Sequence, residues 1–188
     1  IPTVGYSSSE GLYYSQPKFF APAQNYDFEL VPQIRTNRGY GSYLYYRYAD
    51  SQDSILQMKT GIFKEQDDYV TENSLDSDLH YGFDLDYQKR NLFTNSSKAQ
   101  DGLYTSINYL NDIEYITLEN DDTTSSSDSE VESKINYFYN TNDYYTGAYG
   151  RYYIDTAADS NAGTLQELPQ VQFHSYNKES FIDNLVYS

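Results

Sequence analysis

Residues 79–88 read LHYGFDLDYQ, and this stretch decides the fold. Leu79, Tyr81, Phe83, Leu85 and Tyr87 alternate with His80, Gly82, Asp84, Asp86 and Gln88. A strand sends successive side chains to opposite sides, so the segment makes a sheet with one apolar face and one wet face. No helical i, i+3, i+4, i+7 stripe of any length survives against this alternation. A transmembrane β-barrel requires such a pattern, with lipid outside and water inside.

The same alternation runs outward in both directions. Tyr26, Phe28, Leu30, Pro32 and Ile34 oppose Asp27, Glu29, Gln33 and Arg35, and Leu103, Thr105, Ile107 and Tyr109 align in a later segment. The pattern predicts eleven strands in an antiparallel up-and-down meander: 1–7, 12–20, 26–35, 40–48, 55–64, 79–89, 103–110, 133–139, 144–155, 168–176 and 181–187. Long loops are expected at 66–78, 90–101, 111–132 and 156–166, the third holding a low-complexity acidic Ser/Thr/Asp tract. Short turns such as Asn140-Thr141-Asn142-Asp143 alternate with these, as in barrels with tight periplasmic turns and longer outer loops. The tight Asn37-Arg38-Gly39 hairpin breaks that alternation. Eleven strands leave two bare edges, which lipid does not tolerate, so the segment reads as part of a larger barrel.

Composition agrees with this fold. Tyrosine occurs 24 times and phenylalanine 9 times, while cysteine and tryptophan are absent. Tyrosine collects where one end is dry and the other wet, which suits a barrel wall and also a Tyr-rich secreted binding module. A net charge of −16 repels phosphate backbones, and no Lys/Arg stripe offsets it, which argues against nucleic acid as a partner. Without cysteine there is no disulfide and no thiolate metal site within the chain. No apolar run reaches the roughly 18 residues of a transmembrane helix candidate, whereas a barrel strand needs only about 9–11. An Ile1-Pro2 start with no leader pattern reads as an excised piece of a longer chain.

Catalytic and metal chemistry finds little support. His80 and His174 fall at inward-facing strand positions with no partners in the sequence, and polar lumen lining accounts for both. Asp84 and Asp86 point the same way, roughly 7 Å apart, and Asp27 and Glu29 share that inward set. Acid/base work would fit the aspartate spacing, but alternation in a wet interior explains it without chemistry. The acids between 121 and 132 lack the spacing and turn glycine of an EF-hand loop. No nucleophile elbow, phosphate loop or zinc motif occurs. The expectation is a protein that is no enzyme and has no cofactor.

The prolines carry more. Proline cannot donate to a sheet ladder, so it belongs at edges or interruptions. Pro2 falls in the first predicted strand and Pro17 in the second. One reading is a plain edge strand; the other is a sheet weakened where a barrel seam could part.

The run IPTVGYSSSEGLYYSQPKFFAPAQNYDFELVPQIRTNRGYG resembles the opening of the barrel domain of the lipopolysaccharide-assembly family LptD, the organic solvent tolerance proteins. The matching features are Pro2, Gly5-Tyr6, Pro17 with Phe19-Phe20, the turn Ala23-Gln24-Asn25-Tyr26-Asp27, and Arg38-Gly39. Asn108-Tyr109-Leu110-Asn111-Asp112 with Tyr115, and Glu167-Leu168-Pro169-Gln170, extend the resemblance over the whole chain. The tyrosine richness and the acidic loop depart from it, and the family's upstream jellyroll and second half of the barrel are not in this chain. The resemblance implies residues 1–188 as the N-terminal portion of an outer-membrane barrel of about 26 strands. It implies lipopolysaccharide received from a periplasmic LptA-like bridge protein through the missing N-terminal domain, and released through a lateral gate. It also implies an LptE-like outer-membrane lipoprotein plug, with Pro2 and Pro17 in the gate strands. Two rivals stay open: another outer-membrane porin or receptor barrel, and a soluble Tyr-rich β-sandwich that binds glycans.

Overall fold

The computed structural model describes residues 1–94, 96–119, 130–155, 161–179 and 186–187. The chain is all-β, and no helix among the described residues is long and apolar enough to cross a membrane. One antiparallel sheet holds β1 (Thr3–Ser7), β2 (Gly11–Ser15), β3 (Lys18–Ala23), β4 (Tyr26–Arg35), β5 (Gly39–Tyr48), β6 (Ser54–Glu65), β7 (Leu79–Arg90), β8 (Ala99–Leu110), β9 (Glu130–Thr141), β10 (Tyr144–Asp155) and β11 (Glu167–Ser175). They pair in sequence order, except that β2 and β3 lie end to end along β4. The sheet is open, with β1 and β11 as its outer strands.

The meander is as expected; its boundaries differ in several places. The predicted strand 12–20 is two strands, because Gln16-Pro17 interrupts the ladder between β2 and β3. The predicted eleventh strand does not join the sheet: Val186–Tyr187 (β13) pairs with Lys178–Glu179 (β12) in a separate two-stranded sheet, and 181–185 lie outside the described residues. The predicted loops 66–78 and 111–132 carry short helices, α1 (Asp67–Asn73) and α2 (Glu114–Glu119), and a 3-10 turn (Asn161–Gly163) lies in the predicted loop 156–166. Ladder pairing also extends further than the alternation suggested, so β8 starts at Ala99 and shortens the predicted loop 90–101.

Antiparallel order sorts the connections to two ends. Residues 8–10, 36–38, 66–78, 111–129 and 156–166 join strands at one end, the long-loop end. Residues 24–25, 49–53, 91–98 and 142–143 join them at the other.

Register then decides what each face shows. Leu30, Leu44, Thr60, Phe83 and Tyr109 form one cross-strand row, and Phe28, Tyr46, Met58, Leu85 and Ile107 the next. This face stays open: Ile34 is 46 %, Tyr40 63 % and Ile62 51 % exposed. The small core sits on the opposite, polar face, where Tyr43, Phe63, Leu110, Tyr115 and Leu118 cluster. Tyr115 and Leu118 come from α2, which turns back over the sheet after Asp112 Oδ1 accepts a 3.0 Å bond from the Glu114 N–H. Glycine makes the room. A Cβ at Gly82 would stand 2.7 Å from the Tyr115 ring and 2.6 Å from the Tyr109 carbonyl.

Candidate functional site

The polar face at the long-loop end is built around two arginines. Arg35 closes β4 and Arg38 sits in the turn to β5, and each is only 6 % exposed. Glu10, in the β1–β2 turn, clasps both: its Oε2 lies 2.5 Å from Arg35 Nη1 and its Oε1 2.6 Å from Arg38 Nη1. Arg38 also donates to Glu65 at the end of β6 at 2.9 Å and to Glu114 on α2 at 2.7 Å. One guanidinium thereby ties together the first four connections at this end. The Tyr69 ring of α1, 5.0 Å away, covers its face.

Burial opposes ionisation of Glu10, but hydrogen bonds and charge from Arg38 and Arg35 outweigh it and hold the carboxyl below its ordinary range. Burial likewise works against the Arg38 charge, and Glu10, Glu114 and Glu65 overcome it, so the guanidinium pKa is raised. Arg35 Nη2 and Gln33 Nε2 both donate to the Leu118 carbonyl, at 3.1 and 3.2 Å, which satisfies an open end of α2.

The inward-facing set expected from alternation does share this polar face, in varied settings. His80 is 1 % exposed, lies beneath the long-loop end, and donates from Nδ1 to Asp112 at 2.8 Å. Its Nε2 stands 3.2 Å from Glu65 Oε1 without hydrogen-bond geometry. Asp27 takes a two-pronged bond from Arg47 at 2.9 Å, with Glu29 two residues along β4 on the same face. Asp84 pairs with Lys59 at 2.5 Å. Asp86 lies between two grooves of about 570 and 520 Å³, the larger lined also by Gln88, Tyr104, Tyr145, Tyr149 and Arg151. His174 is exposed on β11, edge-on to the Tyr176 ring at 5.6 Å. These groups are not gathered into one catalytic constellation. No cluster of three or more metal-ligating side chains occurs among the described residues.

The prolines fall just beside the positions expected. Pro2 precedes β1, and Pro17 lies in the break between β2 and β3 rather than inside a strand. At that break the β2–β4 ladder stops at Ser15↔Gln33 and the β3–β4 ladder resumes at Lys18↔Leu30. Sequence reasoning missed Glu10, Arg35, Arg38, Glu65, Asp112 and Glu114 as one network. A usable signal was there: two of only 12 basic residues lie three apart beside a turn, in a chain with 28 acids.

The apolar face completes the site. Aromatic side chains gather toward both ends of the strands: Tyr6, Tyr14, Tyr40, Tyr81 and Tyr152 at the long-loop end, and Phe20, Tyr26, Tyr46, Tyr48, Tyr87 and Phe173 at the other. Leu30, Leu44, Met58, Leu85, Ile107 and Ile135 fill the band between. Tyr40 to Tyr48 covers about 27 Å of strand at 3.4 Å per residue. Tilted by about 40°, that spans about 21 Å, close to the roughly 25 Å apolar band of an outer-membrane barrel.

No family model matches the chain. It is 26 % identical over 183 residues to the LPS-assembly protein LptD of Mannheimia succiniciproducens, covering 95 % of this chain and 22 % of that protein. The LPS-assembly protein LptD of Actinobacillus pleuropneumoniae matches over the same extent at 26 % identity. That of Haemophilus influenzae is 39 % identical over 51 residues, 27 % of this chain and 6 % of that protein. The chain thus spans about a fifth of the length of the relatives it matches end to end.

Proposed function

We propose that this chain, a relative of the LPS-assembly protein LptD, forms the opening strands of an outer-membrane translocon that delivers lipopolysaccharide to the outer leaflet. The observation that carries the reading is the exposed apolar face, a band of aliphatic side chains edged by aromatics at both strand ends. Lipid is the environment in which such a face is at rest, and aromatic rims belong at its two headgroup layers. The polar face, with Asp27, Glu29, His80, Asp84, Asp86 and His174, then lines the lumen, and the long-loop end faces the outside. An LptE-like lipoprotein occupies that lumen, and an LptA-like bridge delivers substrate to a domain outside this chain. The strands beside Pro2 and Pro17 form one side of the lateral gate, because neither proline has an N–H with which to extend the ladder through its position, and a ladder bond is worth about 0.5–1.5 kcal/mol net. Transport energy comes from elsewhere in the system.

The test is photo-crosslinking in cells with the full-length parent protein. A crosslinking residue replaces Tyr6 or Tyr14 near the gate, with Tyr152 as a control on a distant strand. Lipopolysaccharide adducts at the first two and not at the third support the gate. Equal adducts at all three mean general contact with the outer leaflet and refute the gate at these strands. Recovery of the parent in the soluble fraction overturns the membrane assignment.

A further inference from the structure

Pro2, Pro17 and Pro32 lie fifteen residues apart in succession. Register turns that spacing into geometry. Extending the β1–β2 pairing by one residue sets Pro2 opposite Gln16, and the β2–β4 pairing sets Gln16 opposite Pro32. Pro2, just before β1, Gln16, just after β2, and Pro32, within β4, therefore share one cross-strand row, with Pro17 one residue beyond it.

Each proline strikes a different seam. Along an antiparallel strand, the N–H and C=O of one residue point to the same neighbour and alternate sides from residue to residue. The Gln16 N–H donates to the Pro32 carbonyl at 3.1 Å, so Pro32 faces β2, and the return bond it would give to Gln16 cannot form. By the same alternation Pro17 faces the β1 side, where the register continues to Ile1 just ahead of that strand, and withholds its bond there, while Pro2 withholds one from whatever strand closes the open edge. The weakness thus extends past the edge to the junction of the β1–β2 hairpin with β4. Only three register pairs hold β2 to β4, against ten between β4 and β5.

At the other end of that short junction the hairpin is fastened by charge. Glu10, at its tip, holds Arg35 and Arg38 at 2.5 and 2.6 Å. Backbone bonds Thr36 N–H to Leu12 C=O and Asn37 N–H to Glu10 C=O, both 3.0 Å, support the clasp.

We propose that the β1–β2 hairpin moves as a unit, creased along the Pro17–Pro32 break and clasped shut by Glu10, so that the β2–β4 seam gives way together with the open edge. This rests on the lateral-gate reading and assigns the gate its moving part and its catch. The outer loops reach the moving part through Arg38, which also holds Glu65 and Glu114.

The test uses the full-length parent with a photo-crosslinking residue at position Tyr6 and a cysteine pair, Tyr14→Cys with Ile34→Cys. These positions face each other in the ladder, about 5.5 Å apart at Cα for a hydrogen-bonded pair, which suits a disulfide. A control pair, Leu44→Cys with Thr60→Cys, locks an interior seam. Expected is a several-fold loss of the lipopolysaccharide adduct at Tyr6 when the first pair is oxidised, restored by reductant, with no change for the control pair. An adduct that stays the same with the first pair oxidised overturns the hinge while leaving the gate standing. No adduct even in the reduced protein overturns the gate reading and the hinge with it. Two milder variants give a second route: Glu10→Gln should raise the adduct yield, and Pro32→Ala, which restores the missing donor, should lower it. Unchanged yields in both refute the clasp and the crease.

Discussion

Replacing Arg38 by methionine keeps much of the side-chain volume and removes the charge that joins Glu10, Glu65 and Glu114. Breaking a buried ion pair by removing one partner costs about 3–5 kcal/mol, because the other charge is left uncompensated. The surroundings here set the low end of that range. Glu10 and Glu114 have side chains 21 % and 31 % exposed and can recover water, whereas Glu65, at 0 %, cannot but keeps His80 beside it. About 3 kcal/mol of local stability should therefore be lost, confined to the long-loop end. The assay is native-state hydrogen exchange on the full-length protein in detergent or lipid. The Gln66 amide, bonded to the Arg38 carbonyl at 2.7 Å, and the Ile116 amide in α2 should exchange about 100-fold faster, while mid-strand amides in β6 and β7 keep their protection. Lowering the pH provides a check on the sign. Glu10's folded pKa lies below its unfolded value near 4.5, so its stabilisation is complete above that value and is lost as pH falls through the folded one. Wild type and variant should therefore converge in the acid range and differ at neutral pH. Equal exchange at neutral pH would refute the hub.

Three further outcomes follow from particular contacts. Gly82→Ala places a methyl between Tyr115 and the Tyr109 carbonyl, so α2 should lift from the sheet at a cost of about 1–3 kcal/mol, read as faster exchange in 114–119 with β7 intact. Leu85→Lys on the apolar face should cost about 2–4 kcal/mol, whereas Asp86→Asn next to it should be nearly neutral; equal effects on folding yield in lipid would contradict the assignment of faces. Asp101 is fully buried and accepts bonds from the Phe93 and Thr94 amides and the Tyr137 hydroxyl, so Asp101→Ala should loosen residues 91–98 by about 1–3 kcal/mol and expose them to limited proteolysis.

The sheet was legible because its signal is local. Alternation through residues 79–88 and 26–35 needs no knowledge of what lies across the sheet, and it set the faces of β4 and β7 and the meander order. The interruption at Pro17 was half legible: proline marked the place, but only the register with β4 shows that pairing stops at Ser15 and resumes at Lys18. The helices were not legible. α2 contributes only Tyr115 and Leu118 to the core, too few residues for a helical period to stand out. The arginine hub was invisible for a different reason. Its carboxylates come from positions 10, 65 and 114, and nothing in the spacing of those residues brings them together; four loop-bearing strands meeting at one end of the sheet do.

Under the proposed membrane reading, that distribution follows from turning the usual solvent arrangement inside out. A sheet with one face apolar across its whole middle and left open buries side chains only over its polar face. A long connection with a few apolar residues therefore folds back over that face, as α2 does with Tyr115 against Tyr43. Once there, it brings backbone carbonyls and carboxylates together in a largely buried cluster, and arginine is the side chain that meets both in several directions at once. Arg35 takes the Leu118 carbonyl and Arg38 takes three carboxylates for this reason. One of those carboxylates belongs to the hairpin at the open edge, so the closing of the loops and the fastening of the edge become a single event. Under the proposed gate, a change in the outer loops that draws Arg38 away from Glu10 frees the hairpin. The prolines at the far end of the β2–β4 junction then decide where it bends.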